Sequence, residues 1–409
     1  MTRTDAERLD AADPIAPFRD RFVLPDGLVY LDGNSLGALP RTVPGRVAEA
    51  VAREWGEGLV RSWNDAGWID LPRRVGNKIA RLVGAGPGEV VCTDSTSVNV
   101  FKVLSAALAL RPGRSTILSE EGNFPTDLYV AEGLARLLDR GHQLRLVPKN
   151  DVLSALDADT AVLLMTHVDY RTGERHDLAG FTRAAHDAGA LIVWDLAHTA
   201  GAMPVDLAAA GADFAVGCGY KYLCGGPGAP AFLWVAPRHQ TVFVQPLSGW
   251  LGHADPFAFE AGYRPAPGVS RSLCGTPPIL SMAALDAALD VVLEADLALV
   301  REKSERMTSF FVDAAEQVCG GAVRLVSPRD ASRRGSQVSF AHPDGYAVMR
   351  ALVARGVVGD FRAPDVLRFG FAPLYVRFVD AWDAASALAD VLSSHAHERP
   401  EFRRRTAVT

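Results

Sequence analysis

The chain has 409 residues, 48% of them hydrophobic and 22% charged, a balance typical of a large globular protein and not of a disordered, fibrous or coiled-coil chain. The formal net charge of −6 argues against nucleic acids and anionic membranes as partners, because both bind basic surfaces. The five cysteines have no metal-ligand spacing, so we expect reduced thiols, no metal and a cytoplasmic protein. The acidic N-terminus does not have the apolar core of a signal peptide, and no stretch reaches the ~20 apolar residues of a membrane span.

Short apolar runs alternate with helix-period segments through the first two thirds of the chain. The runs predict strands at 89–93, 115–119, 143–147, 160–166, 190–194, 214–217 and 230–235. The segments between them predict helices at 98–110, 126–138 and 178–188. This alternation indicates an α/β fold with a mostly parallel sheet that is covered on both faces. Because such sheets bind ligands beyond the carboxyl ends of their strands, the residues that follow those ends are the first candidates for a site.

The character of the sequence changes after Pro277. A long helix rich in Ala and Leu is predicted over 277–311, and a smaller α+β domain follows it. The segments of that domain are strands at 322–326, 337–341, 357–360 and 366–369 and helices at 345–354 and 381–392. We predict a large domain over 56–290 and a small C-terminal domain over 291–409. The N-terminal segment, 1–55, holds one predicted helix at 44–57 and is expected to pack on the small domain or on a partner subunit.

Lys221 differs in its surroundings from the other lysines. It lies between Tyr220 and Tyr222 in the glycine-rich turn GYKYLCGGPG, directly after a predicted buried strand. Desolvation there would favour the neutral, nucleophilic amine that Schiff-base chemistry needs, although a lysine that caps a turn is the alternative. The remaining lysines are predicted to lie on solvated helix faces or in a polar loop, at positions 78, 102, 149 and 303.

Two further features agree with cofactor chemistry. Asp195 follows the apolar run ALIVW, with His198 three residues later. A buried carboxylate at the end of a central strand needs a cationic partner, and the protonated ring nitrogen of pyridoxal phosphate would be one. Ser95, Thr96 and Ser97 precede a predicted helix, where hydroxyls and free N–H groups suit a phosphate. Each feature alone also fits ordinary helix capping, but together they favour a pyridoxal phosphate enzyme.

The order of several motifs resembles that of the bacterial kynureninases, which are fold-type-I pyridoxal phosphate enzymes of the aspartate aminotransferase superfamily. The motifs are STSVN, NFPTD, WDLAHTAG, GYKYLCGGPG, PLSGWLGH and CGTPPI, with YLDGNSLG near the start and RFGFAPLY near the end. The resemblance implies a large domain with a mostly parallel seven-stranded sheet and a smaller C-terminal domain. It also implies hydrolysis of the Cβ–Cγ bond of L-kynurenine to anthranilate and L-alanine, in tryptophan catabolism. 3-Hydroxykynurenine is a second candidate substrate.

The resemblance assigns roles toward the cofactor. Lys221 would carry pyridoxal 5′-phosphate as a covalent aldimine and move the substrate's Cα proton, with Tyr220 as a further acid and base. The residues that would surround the cofactor's ring are Phe124 on its face, Asp127 on its oxygen side, Thr166, Asp195 at its nitrogen, and His198. The phosphate would be bound by Thr96, Ser97, Tyr220 and, from the partner subunit, by Trp250 and Thr276. A homodimer with the active site at the subunit interface is therefore expected.

Two residues would bind the substrate. Arg368 would hold its α-carboxylate, since a guanidinium fork matches a carboxylate. Trp63 would line the pocket for its aromatic ring, although ordinary core packing explains a tryptophan equally well. Cys224 departs from the family pattern, in which Asn follows the KYL of the lysine turn; its place near the cofactor suggests sensitivity to oxidation.

Two other functions remain open at this point. A cysteine desulfurase-like lyase would need a reactive cysteine on a mobile loop, and Cys319 at a predicted helix end looks structural. A non-catalytic sensor that binds pyridoxal phosphate would not need Lys221, Tyr220 and Arg368 together. A nicotinamide-binding fold is disfavoured, because no G-x-G-x-x-G joins a strand to a helix.

Overall fold

The computed structural model describes residues 1–405. The α-helices are α1 (Arg3–Ala11), α2 (Val43–Glu49), α3 (Ser62–Asp65), α4 (Leu71–Leu82), α5 (Thr96–Ala109), α6 (Pro125–Leu138), α7 (Leu178–Asp187), α8 (Ile279–Glu294), α9 (Leu297–Cys319), α10 (Gly345–Val353), α11 (Phe378–Ser393) and α12 (Pro400–Arg403). The strands are β1 (Phe22–Val23), β2 (Val29–Tyr30), β3 (Leu39–Pro40), β4 (Val90–Cys92), β5 (Thr116–Glu120), β6 (Gln143–Val147), β7 (Thr160–Thr166), β8 (Leu191–Asp195), β9 (Phe214–Gly217), β10 (Phe232–Val235), β11 (Arg324–Leu325), β12 (Gln337–Ala341), β13 (Val357–Val358), β14 (Asp360–Arg362) and β15 (Val366–Gly370).

The central sheet has seven strands in the order β4-β10-β9-β8-β7-β5-β6. Only β10 runs against its neighbours, β4 and β9, so the predicted mostly parallel seven-stranded sheet is confirmed. Every residue of β7 and β8 is buried, because helices cover both faces, and the two strands are therefore continuous apolar runs in the sequence. The carboxyl ends of β4, β7, β8 and β9 lie at one edge of the sheet.

A second, antiparallel sheet in the C-terminal part has the order β11-β12-β15-β14. The predicted single strand over 357–360 is wrong. β13 pairs in parallel with β2 of the N-terminal segment, whereas β14 pairs with β15. Gly359 separates them where the backbone comes close to β15, and a Cβ at this position would lie 2.8 Å from the Arg368 carbonyl oxygen.

The predicted continuous helix over 277–311 is also wrong. α8 ends at Glu294 and α9 begins at Leu297, because the Asp296 side chain accepts a hydrogen bond of 2.8 Å from the Ala298 N–H and starts a new helix. The break lies close to the predicted boundary at residue 290. The division of the chain into domains stays a prediction.

The N-terminal segment holds more structure than the one predicted helix. α1 begins with a capping box between Thr2 and Asp5, a signal present in the sequence that the prediction missed. The predicted helix at 44–57 is α2 followed by a π-helical stretch, Ala50–Gly58. α1 reaches the C-terminal part through the ion pair between Arg3 and Asp383, 3.1 Å apart.

Two lysines predicted to be solvated are buried. Lys102 is 1% exposed and pairs with Asp94, and Lys303 is 6% exposed and pairs with Asp13. Lys78 is partly buried between the carboxylates of Asp286 and Asp290. Each lysine is paired with a carboxylate from a distant or preceding segment, and helix periodicity alone does not reveal such a partner. No helix within residues 1–405 is long and apolar enough to cross a membrane.

Candidate active site

A cavity of about 760 Å³ opens at the carboxyl edge of the central sheet. It is lined by most of the predicted site residues, namely Thr96, Ser97, Phe124, Asp127, Thr166, Asp195, His198, Tyr220, Lys221 and Thr276. These residues come from the loops after β4, β5, β7, β8 and β9 and from the segment before α8. Residues that are up to 180 positions apart therefore meet as the parallel topology requires.

Lys221 lies in the turn that follows β9, with its amine inside the cavity wall. Its Nζ is 3.0 Å from Nε2 of His198, 6.0 Å from the Phe124 ring centroid and 5.9 Å from that of Tyr220. Burial, and then the positive charge of Lys221, hold the pKa of His198 well below its usual range. The imidazole is therefore neutral, and its Nε2 also lies 3.1 Å from the carbonyl oxygen of Asn34, so that the tautomer decides whether it accepts from Lys221 or donates to Asn34.

Two carboxyl groups face the same cavity. Asp195 ends β8, is 3% exposed, and accepts a hydrogen bond of 2.7 Å from the Ala197 N–H at Oδ1. Burial raises the pKa of Asp195, while Lys221 lowers it. Burial, followed by the charge of Asp195, raises the pKa of Asp127 much further. The pair therefore holds a proton on Asp127 while Asp195 stays the more acidic partner.

The carboxyl pair fits the ring nitrogen of pyridoxal phosphate. Oδ2 of Asp127 is buried in the cavity wall and has no hydrogen-bond partner among the described residues. A ring nitrogen placed at Asp195 would donate its single N–H to that carboxylate, and another polar group on the cofactor's ring would satisfy Oδ2 of Asp127. Asp127 lies beside Asp195, since the two carboxyl groups affect each other's pKa, and its place on the oxygen side of the ring stays a prediction.

Hydroxyl groups gather at the N-terminus of α5, which borders the same cavity. Ser95 is the cap of this helix, and its Oγ accepts a hydrogen bond of 3.3 Å from the Val98 N–H. Thr96 and Ser97 occupy the first turn, where their hydroxyls and N–H groups suit a phosphate. Thr276 lies on the wall of its own chain's cavity.

Asn123 is a buried polar residue that the sequence analysis missed. Its Oδ1 accepts hydrogen bonds from the Thr166 hydroxyl and from the Phe124 N–H, and its Nδ2 donates to Ser119 Oγ at 3.0 Å. It therefore fixes both Thr166 and the start of α6, which carries Phe124 and Asp127. The signal was its position, directly before the motif FPTD and just after a buried strand.

Tyr220 lines the cavity beside Lys221. Burial raises the pKa of its phenol above the usual range, so the group keeps its proton at neutral pH. Tyr220 can therefore donate a proton before it accepts one.

Arg368 does not reach the cavity wall. It is 1% exposed and its fork closes on Asp360, with Nε 3.0 Å from Oδ1 and Nη2 bound to Oδ2. Nη2 also donates to Ser35 Oγ and Nη1 to the Tyr170 carbonyl oxygen, each at 2.8 Å. Tyr170 itself lines the cavity. A carboxylate that bound Arg368 from the cavity would have to replace one of these partners.

Trp63 and Trp250 also lie outside the cavity of this chain. Their ring centroids are 5.9 Å apart, and Trp63 also contacts Trp68 at 6.1 Å. Trp250 contacts Phe257 at 5.7 Å. Trp68, Trp63, Trp250, Phe257 and Phe259 thus form an aromatic row on the surface.

Cys224 is buried below the lysine turn. Its backbone has φ +55°, a left-handed conformation that Asn adopts more readily than Cys. Burial raises the pKa of its thiol to about 12, so the thiol is inert and the sensitivity to oxidation considered above is not expected. The YLDGNSLG segment covers it, since a Cβ on Gly37 would lie 2.6 Å from its Sγ.

Comparison with known proteins decides the family. The chain is 55% identical to a kynureninase of Burkholderia pseudomallei (strain 1106a), with all of both chains covered. The chain belongs to the kynureninase family. It is also 52% identical to a kynureninase of Pseudomonas fluorescens, again over the whole of both chains, and residues 300–388 match the family model of the kynureninase C-terminal domain.

Solved structures with the same fold have other activities. A C-DES mutant with glycine covalently linked to its pyridoxal phosphate cofactor superposes with a TM-score of 0.80 at 18% identity, covering 91% of this chain and 99% of that one. A cysteine desulfurase from Thermococcus onnurineus superposes with a TM-score of 0.78 at 19% identity, covering 92% and 98%. These superpositions support the predicted fold type I. At identities this low they do not extend the desulfurase reaction to this chain, whereas the kynureninase relatives match along the entire chain.

Proposed function

We propose that this member of the kynureninase family hydrolyses L-kynurenine to anthranilate and L-alanine, with pyridoxal 5′-phosphate as cofactor. The observation that carries the proposal is the cavity in which Lys221 meets the carboxyl pair of Asp127 and Asp195. Kynurenine is also the substrate class that the names of its full-length relatives indicate.

The residues present could hold the cofactor at both ends. Lys221 would bind its aldehyde carbon, Asp195 its ring nitrogen, Asp127 the oxygen side of its ring, and Thr96 and Ser97 its phosphate. The bound cofactor supplies an electron sink for the pair of electrons left when a bond at the substrate's Cα breaks. The carboxyl pair supports that role, because an ionised Asp195 keeps the ring nitrogen protonated.

Lys221 would then act on the proton at the substrate's Cα. When it is not bound to the cofactor, the amine of Lys221 would be free to take this proton. His198 supports the transfer, since its neutral Nε2, 3.0 Å from Nζ, orients the amine and adds no charge. A charged imidazole at this distance would repel the ammonium that forms.

Cleavage requires water to add to the γ-carbonyl carbon of the substrate. The Cβ–Cγ bond then breaks and releases anthranilate, and Cβ gains a proton to give alanine. Tyr220 is our candidate donor at Cβ, because burial keeps its phenol protonated.

Arg368 is the candidate for the substrate's α-carboxylate. It carries the only buried guanidinium next to Tyr170, a residue of the cavity wall, among residues 1–405. Without substrate, Asp360 and Ser35 fix the orientation of the Arg368 guanidinium. The guanidinium is therefore already placed to bind a carboxylate that replaces one of these partners. Whether 3-hydroxykynurenine is also cleaved depends on the residues around the substrate's ring.

We further propose a homodimer, in which Trp63 and Trp250 approach the partner's cavity, whereas Thr276 lines the cavity of its own chain. The aromatic row supports this proposal, because Phe257 and Phe259 are 58% and 78% exposed in the single chain. Contiguous exposed apolar surface of this kind marks an interface in soluble proteins.

The test is a product assay on the purified protein loaded with pyridoxal phosphate. L-Kynurenine should give anthranilate and alanine in equal amounts, and Lys221→Ala should give neither while keeping the fold by circular dichroism. Lys78→Ala is the control, since this lysine lies on α4 away from the cavity. If cofactor binding depends on Lys221 but no anthranilate forms, the proposed substrate is contradicted and the proposed cofactor site still stands.

A further inference from the structure

A buried ion pair lies beside the phosphate end of the cavity. Nζ of Lys102 is 2.5 Å from Oδ2 of Asp94 and 2.5 Å from the carbonyl oxygen of Ser272. Asp94 directly precedes the cap of α5, and Ser272 precedes the cavity-lining segment 275–278. A single ammonium group thus joins two segments that border the candidate phosphate site.

The position of Asp94 is unusual for a site that takes a phosphate. Its side chain is 29% exposed and the residue lines the cavity next to Ser95, Thr96 and Ser97. A carboxylate and a phosphate dianion bound at these neighbouring residues would repel each other, because salt screens charges only beyond the ~8 Å Debye length at physiological salt. Partial burial strengthens that repulsion.

Asp94 is nevertheless held firmly in place. Its φ is +49°, in the left-handed region that Asp and Asn tolerate better than other side chains. Its Oδ2 accepts a hydrogen bond of 2.6 Å from the Thr93 hydroxyl, and its carbonyl oxygen accepts one of 2.9 Å from the Ala231 N–H. The turn therefore fixes a negative charge where the cofactor's phosphate would bind.

We propose that Lys102 is a positioning residue for the cofactor's phosphate, which neutralises Asp94 and ties segment 272–276 to the start of α5. The proposal rests on the cofactor site of the proposed function. It goes beyond that function in assigning a role to a side chain that does not line the cavity.

Lys303 provides a matched control. It is also buried on a helix and pairs with Asp13 at 2.7 Å, and it donates to the Pro373 carbonyl oxygen at 2.6 Å. It has the same chemistry as Lys102 but lies on α9, away from the cavity. Replacement of either lysine by Met leaves one carboxylate without its cationic partner, so both variants lose stability.

The experiment measures binding of pyridoxal 5′-phosphate and of pyridoxal, which lacks the phosphate, to the apo-proteins. Lys102→Met should weaken pyridoxal phosphate binding at least about tenfold and change pyridoxal binding little, since only the phosphate meets the uncompensated charge. Lys303→Met should bind both ligands like the wild type. Asp94→Asn keeps an acceptor and a residue suited to positive φ but removes the charge, so its affinity for pyridoxal phosphate should equal or exceed that of the wild type.

The double variant Lys102→Met/Asp94→Asn should recover most of the affinity lost in Lys102→Met. Equal losses for pyridoxal and its phosphate, or a loss in Asp94→Asn as large as in Lys102→Met, would overturn the proposal in favour of a structural role. If Lys102→Met does not fold, Asp94→Asn decides. An affinity for pyridoxal phosphate equal to or above that of the wild type supports the proposal, and a lower affinity overturns it. A wild-type protein that binds no pyridoxal phosphate would instead contradict the proposed function.

Discussion

Arg368 and Arg362 both contact Asp360, but from different environments. Arg368 binds it with a buried two-point fork, whereas Arg362 reaches it from a side chain that is 37% exposed. We expect Arg368→Lys to raise KM for L-kynurenine by about tenfold or more, because a lysine cannot make two parallel hydrogen bonds to one carboxylate. The effect on kcat should be smaller, because the carboxylate is held similarly in the ground state and the transition state.

Arg362→Lys is the control for this prediction. It keeps the charge next to Asp360 and leaves the fork of Arg368 intact, so KM should change less than about threefold. Steady-state kinetics of both variants gives the comparison. A similar rise of KM in both would mean that charge near Asp360 matters and that the fork of Arg368 does not.

Cys224 allows a prediction about stability. A left-handed backbone costs most residues about 1–2 kcal/mol, and Asn lowers that cost through local hydrogen bonds. Cys224→Asn should therefore raise the thermal midpoint of the apo-protein by about 1–2 °C, while Cys224→Ala, which keeps the strain, should not. Differential scanning fluorimetry measures both. A midpoint that falls in Cys224→Asn would show that contact with Gly37 outweighs the backbone strain.

At the scale of elements, the burial of a segment decides how well its bounds can be predicted from the sequence. β7 and β9 have the predicted bounds, because continuous burial leaves an unbroken apolar run, and the partly exposed edge strand β6 has them as well. The break at Ala295 and the division around Gly359 were missed, since each depends on one residue that periodicity averages over. The order of the site motifs along the chain was enough to predict most of the residues that line the cavity. Asn123, Asp94 and Lys102 were missed as site residues, because their contacts form only in the folded chain.

The YLDGNSLG segment should make stability depend on pH. Burial, followed by the charge of Asp360, raises the pKa of Asp32 to about 7. The folded protein therefore binds this proton more tightly than the unfolded chain does. The free energy of unfolding should fall as pH rises from about 4 to about 7, by up to about 4 kcal/mol from this one group.

Asp32→Asn should remove that part of the pH dependence. The variant and the wild type should be similar at pH 4.5, and the variant should be the more stable of the two at pH 7.5. Urea unfolding of the apo-proteins at both pH values measures the difference, with exposed Asp26→Asn as the control. A wild type and an Asp32→Asn variant that keep the same stability difference at both pH values would contradict the raised pKa.

At the scale of the whole molecule, the fold leaves the reaction open. The cysteine desulfurase from Thermococcus onnurineus superposes over 92% of this chain, yet at 19% identity the comparison supports a shared fold and nothing about the reaction. The reaction depends instead on the side chains that line the cavity at the edge of the sheet. The position of the aromatic row on the outside of the single chain suggests that a second subunit completes the site.

Paired inactive variants would decide whether subunits share their sites. In a mixed dimer of Lys221→Ala and Trp250→Ala, a Trp250 that acts on its partner's cavity leaves one site with both changes and one with none. Co-expression of the two variants should then recover about a quarter of the wild-type activity, since random pairing makes half of the dimers mixed and each has one intact site of two. If Trp250 served its own chain, every site would carry a change and no activity would return. Co-expression of Lys221→Ala with Asp195→Ala is the control: both residues line one cavity of a single chain, so every site of a mixed dimer carries one of the two changes and no activity should return.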